Sequence, residues 1–152
     1  METIDGLTVK TVAGDPDAYV LSRNSDGEST VFFGKASSPS VYELSGAIVG
    51  NLVVDAGNED LELRLNGLSV STDKAAPLEV TSCGTFVLSA CDGSSNRMSD
   101  FRATGEPSFA LHMCSDAVIT GGGSVLVEST RNGGGYSGGS GSTFKFTDNQ
   151  GW

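Results

Sequence analysis

The chain has little of what catalytic and metal-binding sites are usually built from. It contains one histidine and three cysteines in 152 residues, and aromatic residues make up 7% of it. A zinc site needs several His, Cys or carboxylate ligands at set spacings, and these residues do not occur at such spacings here. Residues 139–141 read Gly-Ser-Gly but lie in a Gly/Ser-rich stretch, not at a strand-to-helix turn that would expose a nucleophile. We therefore expect no enzyme, no metal site and no cofactor.

Basic residues and long apolar runs are also scarce. Nine Lys and Arg stand against 19 Asp and Glu, so the net charge is −10. Such a field repels phosphate backbones and anionic lipid surfaces, which argues against nucleic acid as a partner. No apolar run approaches the roughly 18 residues that span a bilayer. Residues 1–5 have neither the basic start nor the apolar stretch of a signal peptide. We expect a soluble chain without membrane insertion, from which any export signal has been removed.

What the chain does have is a repeat of short segments in which apolar residues alternate. Its first segments begin at Leu52, Leu78 and Phe109, and its second segments begin at Leu61, Phe86 and Ala117. Strands this short cannot bury a face alone, and their recurrence is typical of a stacked solenoid. The repeat predicts an all-β fold, a short parallel β-helix of about three coils with three strands each. The third strand of the second coil is a weak one near Met98.

This alignment also predicts the core, because side chains of a strand alternate between its two faces. Val80 and Leu111 should stack in one internal ladder. The residues expected to point inward are Leu52, Val54, Leu61, Leu63, Leu65, Leu78, Val80, Phe86, Leu88, Phe109, Leu111, Ile119, Val125 and Val127.

The two ends of the chain depart from the repeat. Residues 1–46 contain strand-like segments without the period, and we predict that they form an N-terminal β cap on a helix of residues 47–152. Residues 131–143 are rich in Gly and Ser and predict a flexible loop. Residues 143–147 alternate once more, so the last coil is begun and left incomplete.

The cysteines leave three alternatives open. Cys83 and Cys114 occupy equivalent positions in the alignment, and stacked neighbours lie roughly 4.8 Å apart, within reach of a disulfide. Both could instead be small buried thiols, or Cys91 could pair with one of them.

Candidate ligand residues come from the outward positions and from the few aromatic residues with polar tips. Polar groups can hydrogen-bond sugar hydroxyls, and rings can stack on sugar C–H faces. The candidates are Asp55, Glu79, Thr81, His112, Tyr136 and Trp152. The first four share one outward face in the alignment, but they are too sparse for the carboxylate and base cluster of a polysaccharide lyase. Residues 55–60 form an acidic turn, with calcium binding as the alternative to a solvated turn.

Several apolar residues fall at outward positions or in the incomplete coil, where a partner would have to cover them. These candidate assembly residues are Val53, Val87, Val118, Phe144 and Phe146. An open solenoid end and a free strand are complementary, so the N-terminal strands could cap their own chain or a neighbouring copy. A head-to-tail contact that does not close would yield a filament.

Residues 50–70, 75–80, 92–100 and 117–125 resemble a family of carbohydrate-binding domain-containing proteins, over residues 42–130 in all. The resemblance implies a right-handed parallel β-helix on an extracellular or cell-surface protein, with glycans as ligands. We expect a non-enzymatic structural or adhesive module that assembles with itself and binds glycans. The alternative is a small polysaccharide-active enzyme, a lyase or a hydrolase.

Overall fold

The computed structural model describes residues 2–4, 6–34, 38–101, 111–113, 116–129 and 136–138. These residues contain strands and no helix. The strands are β1 Glu2–Ile4, β2 Leu7–Ala13, β3 Tyr19–Arg23, β4 Ser29–Phe33, β5 Ser40–Asp55, β6 Leu61–Thr72, β7 Leu78–Ser82, β8 Thr85–Ala90, β9 Ser95–Asp100, β10 Leu111–Met113, β11 Asp116–Thr120, β12 Ser124–Ser129 and β13 Tyr136–Gly138. The predicted all-β solenoid is confirmed.

Successive coils stack in three parallel ladders, whose outward surfaces we call faces 1, 2 and 3. Ladder 1 contains residues 40–44 of β5, residues 61–65 of β6, then β8 and β11. Ladder 2 contains residues 46–49 of β5, residues 68–72 of β6, then β9 and β12. Ladder 3 contains β4, residues 50–55 of β5, then β7, β10 and β13. The weak strand expected near Met98 is β9.

Strand β5 contributes to all three ladders because glycines let it turn twice. Gly46 separates the parts in ladders 1 and 2, and it has a φ of +91°, a conformation that side chains with a Cβ rarely adopt. A Cβ at Gly46 would also collide with the carbonyl oxygen of Gly6, and one at Gly50 with that of Ser29. Each corner therefore requires the residue without a side chain.

The N-terminal strands cover the first coil of their own chain. β2 pairs antiparallel with residues 41–46 of β5, and β1 pairs antiparallel with β2. β3 pairs antiparallel with β4. Parallel stacking nevertheless begins at β4 and continues in residues 40–49 of β5. It therefore starts within the segment 1–46 that the sequence assigned to the cap. Whether that segment forms a domain of its own stays a prediction.

The core is a column of aliphatic side chains, as the alternation predicted. The predicted inward residues for which the structure describes side chains are all buried: Leu52, Val54, Leu61, Leu63, Leu65, Leu78, Val80, Phe86, Leu88, Val125 and Val127. The side chains of Phe109, Leu111 and Ile119 lie outside the described set. Burial continues into the first coil with residues such as Val31 and Leu44.

An aromatic cluster closes the N-terminal end of the core. The rings of Tyr19 and Phe33 each pack against Tyr42, with centroids 5.3 Å apart in both pairs. The Tyr42 side chain is fully buried, and its hydroxyl donates to the carbonyl oxygen of Asp15 at 2.6 Å. Burial raises the pKa of this hydroxyl above its ordinary value. Tyr42 is thus part of the core, where it cannot stack on a ligand.

One predicted stacking pair is wrong. Leu111 pairs with Leu78, and Met113 pairs with Val80, so Leu111 does not stack on Val80. The true register differs from the predicted one by two residues. Because side chains alternate with a period of two, a shift of two keeps every inward residue inward. Apolar alternation alone could not tell these two registers apart.

The C-terminal part of the structure also modifies the predictions. Strand β13 lies within residues 131–143, where a loop was predicted, and it extends ladder 3 by pairing with β10. Tyr136 is in register with Leu111. Phe144, Phe146 and Trp152 lie outside the described residues, as does the predicted incomplete coil of residues 143–147.

Candidate functional site

Face 2 carries a column of small, polar and long side chains that runs across four coils. Ala47 pairs with Ser69, Ser69 with Arg97, and Arg97 with Leu126. Apart from the corner residue Gly46, the residues on either side of this column, including Leu68, are buried. Alternation therefore sends the apolar residues of β6 and β9 into the core and leaves serines and an arginine on face 2.

Two neighbouring hollows lie along this face, and we call them together the trough. The first has a volume of about 370 Å³ and is lined by Arg23, Gly27, Ala47, Ile48, Val49, Ser69 and Ser71. The second has a volume of about 420 Å³ and is lined by Gly67, Leu68, Ser69, Ser95, Asn96, Arg97, Ser124 and Leu126. Ser69 belongs to both, so the hollows adjoin there. Their volumes fall within the range of small-molecule sites, roughly 300–1,000 Å³.

Asn96 holds the second hollow in shape by joining three coils. Its Oδ1 accepts hydrogen bonds from the backbone N–H groups of Gly67 at 2.9 Å and Leu68 at 2.8 Å, in the preceding coil. Its Nδ2 donates to Ser94 Oγ at 3.0 Å and to the carbonyl oxygen of Ser124 at 3.1 Å, in the following coil. The side chain is buried, and its oxygen and its nitrogen each make two hydrogen bonds. The edge of the trough is therefore built on a rigid support.

The chemistry of the trough is that of hydroxyl groups, two guanidinium groups and a few apolar contacts. Arg23, at the end of β3, lines the first hollow, and Arg97 of β9 lines the second. Both side chains are exposed. Such a surface can hydrogen-bond a polar ligand and attract negative charge, but its described lining residues do not pair a nucleophile with a base.

Of the candidate ligand residues from the sequence, Asp55, Glu79 and Thr81 belong to strands of ladder 3. The backbones of His112 and Tyr136 belong to the same ladder, and Trp152 lies outside the described residues. Glu79 pairs with Val53 on one side and His112 on the other, so Glu79 and His112 occupy adjacent positions. The alignment had placed His112 beside Thr81, which is wrong for the same reason as the Leu111 register. The Thr81 hydroxyl donates to the carbonyl oxygen of Val54 at 3.1 Å. A ligand role for these residues stays a prediction.

The acidic turn of residues 55–60 is tied to the next coil by hydrogen bonds. Asp55 accepts one from the Ser82 hydroxyl, which in turn accepts one from the N–H of Gly57 at 3.0 Å. Asp60 Oδ1 accepts one from the N–H of Thr85 at 2.8 Å. Within the part of the chain that the structure describes, no group of three or more His, Cys, Asp or Glu residues could hold a metal ion. The carboxylates thus have structural partners in the stacked coils.

Among the described residues, no disulfide joins Cys83 to Cys91. Cys83 Sγ lies 3.3 Å from the carbonyl oxygen of Glu59, and burial raises the pKa of both thiols, which disfavours the reactive thiolate. Cys114 lies outside the described residues, so the Cys83–Cys114 bridge stays a prediction. The register of β7 with β10 is, however, two residues away from the one on which that pairing was based.

Of the candidate assembly residues, Val53 lies on face 3 and Val87 lies on face 1. Val53 and Val87 are half-buried, and Val118 pairs with Val87 in ladder 1. Val87 also lines a smaller hollow of about 200 Å³ with residues that include Val41 and Leu61. Their role in an interface stays a prediction.

Sequence reasoning missed Arg23, Ser69 and Arg97. Arg97 was overlooked because β9, Ser-Asn-Arg-Met-Ser-Asp, has one apolar residue and gives a weak strand signal. Its alignment with residues 69–72 of β6 appears only in the register. Arg23 was assigned to the cap, and its closeness to residues 47–71 depends on how β3 and β4 fold onto the first coil.

Comparison with known proteins places the chain in a family. A family model described as "Carbohydrate-binding domain-containing protein" matches residues 28–140, about three quarters of the chain, and the chain belongs to this family. No curated protein and no solved structure matches it. The described residues include no helix that is long and apolar enough to cross a membrane. The resemblance seen in the sequence is thereby confirmed.

Proposed function

We propose that this protein is a non-enzymatic glycan-binding module of the cell surface or extracellular space, and that the trough on face 2 holds the glycan. The observation that carries the proposal is the pair of adjoining hollows, which share Ser69 and run along the solenoid axis. An elongated site across several coils suits a chain-like ligand. Family membership supports the ligand class, and it suggests binding without catalysis.

Filling the centre of the trough should abolish glycan binding. Ser69 is half-buried at the junction of the hollows, so Ser69→Tyr would place a ring in both of them. We expect binding on a glycan array and in affinity electrophoresis to fall at least tenfold, a loss of about 1.4 kcal/mol. Ser89→Tyr is the matched control, because Ser89 is also a half-buried serine in a parallel strand but belongs to ladder 1. Equal binding by both variants would place the glycan elsewhere.

The alternative is a small polysaccharide lyase or hydrolase. It would need an acid, a base or a metal on one face. Asp55 is engaged by Ser82, and the backbone position of His112 lies beside Glu79. We expect no turnover on a panel of polysaccharides. The assay measures the release of reducing ends and of unsaturated products. Activity that is lost in both Asp55→Asn and His112→Ala would establish the enzyme instead.

Self-assembly is the second part of the proposed role, and the free edge of β3 supports it. Within the described residues β3 pairs with β4 alone, and Val20, its second residue, is 58% exposed. An edge strand with an exposed apolar residue is a template for strand addition from another molecule. β2 is already paired with β5 in its own chain, so we place the contact on β3 rather than on residues 1–12.

A lysine on this edge should therefore prevent association. We expect the sedimentation coefficient of the wild-type protein to rise with concentration, with little effect of salt because backbone hydrogen bonds hold the contact. Val20→Lys should remain monomeric, since a charged residue on an edge strand opposes pairing. Val12→Lys, at another exposed valine but on β2, should associate like the wild type. A wild-type protein that stays monomeric at high concentration would contradict the assembly proposal.

A further inference from the structure

We infer that the trough selects an anionic polysaccharide, one that carries carboxylate or sulfate groups along its chain. This inference rests on the proposed function and adds the class of glycan. It begins with the two arginines, Arg23 in the first hollow and Arg97 in the second. Among the described residues that line the two hollows, none is Asp or Glu.

This local charge is opposite to that of the molecule, which has a net charge of −10. Two other described basic residues, Arg64 and Lys74, do not line the trough. Arg64 Nε lies 2.7 Å from Glu62 Oε2 in ladder 1, and Lys74 Nζ lies 3.5 Å from Asp73 Oδ1. The placement of two exposed guanidinium groups in adjoining hollows thus stands out from the charge pattern of the chain.

The lining also lacks the groups that recognise neutral sugars best. Neutral glycans are commonly held by stacking of their C–H faces on aromatic rings. Within the described part of the trough no aromatic residue is present. The exposed aromatic residues Phe32 and Phe101 lie on β4 and just after β9. Without a ring, the binding energy has to come from polar contacts.

Arginine and serine supply polar contacts of the kind that fit an anion. A guanidinium group offers five N–H donors in a planar fork that matches a carboxylate or a sulfate, and such charge-assisted bonds are roughly twice as strong as neutral ones. The hydroxyl groups of Ser69, Ser71 and Ser95 can form hydrogen bonds with the sugar hydroxyls that lie between the charged groups of the ligand. The two hollows would then take successive charged sugars of one chain.

The net negative charge does not prevent this binding at physiological ionic strength. Charges farther away than about 8 Å are largely screened at 0.15 M salt. A ligand in the trough therefore interacts mainly with Arg23 and Arg97. At low salt the distant carboxylates act more strongly, so they would slow the approach of the ligand. The groups that touch the ligand still decide which glycan remains bound.

Affinity electrophoresis and calorimetry with defined polysaccharides test this inference. The probes are polygalacturonate for carboxylates, chondroitin sulfate and dextran sulfate for sulfates, and dextran and galactan as neutral chains. We expect the wild-type protein to bind one or both anionic classes and to bind the neutral chains at least tenfold more weakly. The variants Arg97→Gln and Arg23→Gln should each weaken anionic binding by roughly tenfold. Arg97→Lys, which keeps the charge and loses the fork, should recover part of the affinity.

Arg64→Gln is the matched control, because it removes the same charge from ladder 1 and breaks a partly exposed ion pair with Glu62. It should bind as the wild type does, and circular dichroism should show every variant folded. Binding of neutral chains that Ser69→Tyr abolishes and Arg97→Gln leaves intact would overturn the anionic inference and keep the proposed function. Binding of none of the probes, together with a negative glycan array, would overturn both. Equal losses in Arg64→Gln and Arg97→Gln would show a general charge effect and would also overturn the inference.

Discussion

A single charge in the core column should unfold the protein. Leu63 has no exposed surface, and in ladder 1 it stacks between Tyr42 and Leu88. Leu63→Asp places a carboxylate among apolar side chains with no cation to pair with it. The effective penalty for burying an ion is several kcal/mol, whereas domains of this size are stable by about 5–15 kcal/mol in total. We expect the variant to lose its cooperative unfolding transition in urea. Circular dichroism measures this transition.

Val49→Asp is the control for this experiment. Val49 is 59% exposed on face 2, so the same new charge is solvated there. Its free energy of unfolding should stay within about 0.5 kcal/mol of the wild-type value. A soluble Leu63→Asp protein that unfolds cooperatively near the wild-type midpoint would contradict the assignment of Leu63 to the core.

The second large effect is expected at Asn96. Asn96→Ala removes four hydrogen bonds and leaves the N–H groups of Gly67 and Leu68 without their acceptor. The N–H of Leu68 is buried, whereas Gly67 is exposed and its N–H can bond water. An unsatisfied buried donor costs about 1–3 kcal/mol, so we expect the free energy of unfolding to fall by roughly that amount. Ser95→Ala, at the exposed neighbouring position, should cost less than about 0.5 kcal/mol. Urea denaturation measures both.

Asn96→Asp distinguishes the role of the Oδ1 acceptor from that of the Nδ2 donor. The carboxylate can still accept from Gly67 and Leu68, but it has no proton for the carbonyl oxygen of Ser124. Protonation would restore a donor and remove a buried charge. The aspartate should therefore have a raised pKa in the folded state, and the variant should gain stability relative to the wild type as the pH falls. A cost that does not change between pH 7 and pH 4 would contradict the raised pKa and the role of the Nδ2 donor from which it is derived.

The amino-acid pattern predicted the class of fold and most of the core because both depend on local order. Alternation along Leu61–Leu65 assigns inward and outward positions whatever the partner strand is. The resemblance to the family of carbohydrate-binding domain-containing proteins was visible in the sequence, and the family match over residues 28–140 confirms that membership. The candidate site was harder to predict. Ser69 and Arg97 are joined by the register of β6 with β9, and no repeated apolar pattern marks that register.

What the sequence determined by itself is therefore the all-β solenoid, the inward positions and the negative net charge, since each follows from residue type and from spacing within one coil. The repeat aligned Leu61, Phe86 and Ala117 as they are observed to pair, but only the tertiary structure decided the registers of β7 with β10 and of β6 with β9. Leu111 lies opposite Leu78 rather than Val80, and Tyr42 closes the core against Phe33. A shift by two residues preserves alternation, so only the packed coils select one register. That selection, with the folding of β3 and β4 onto the first coil, brings Arg23 and Arg97 to one face.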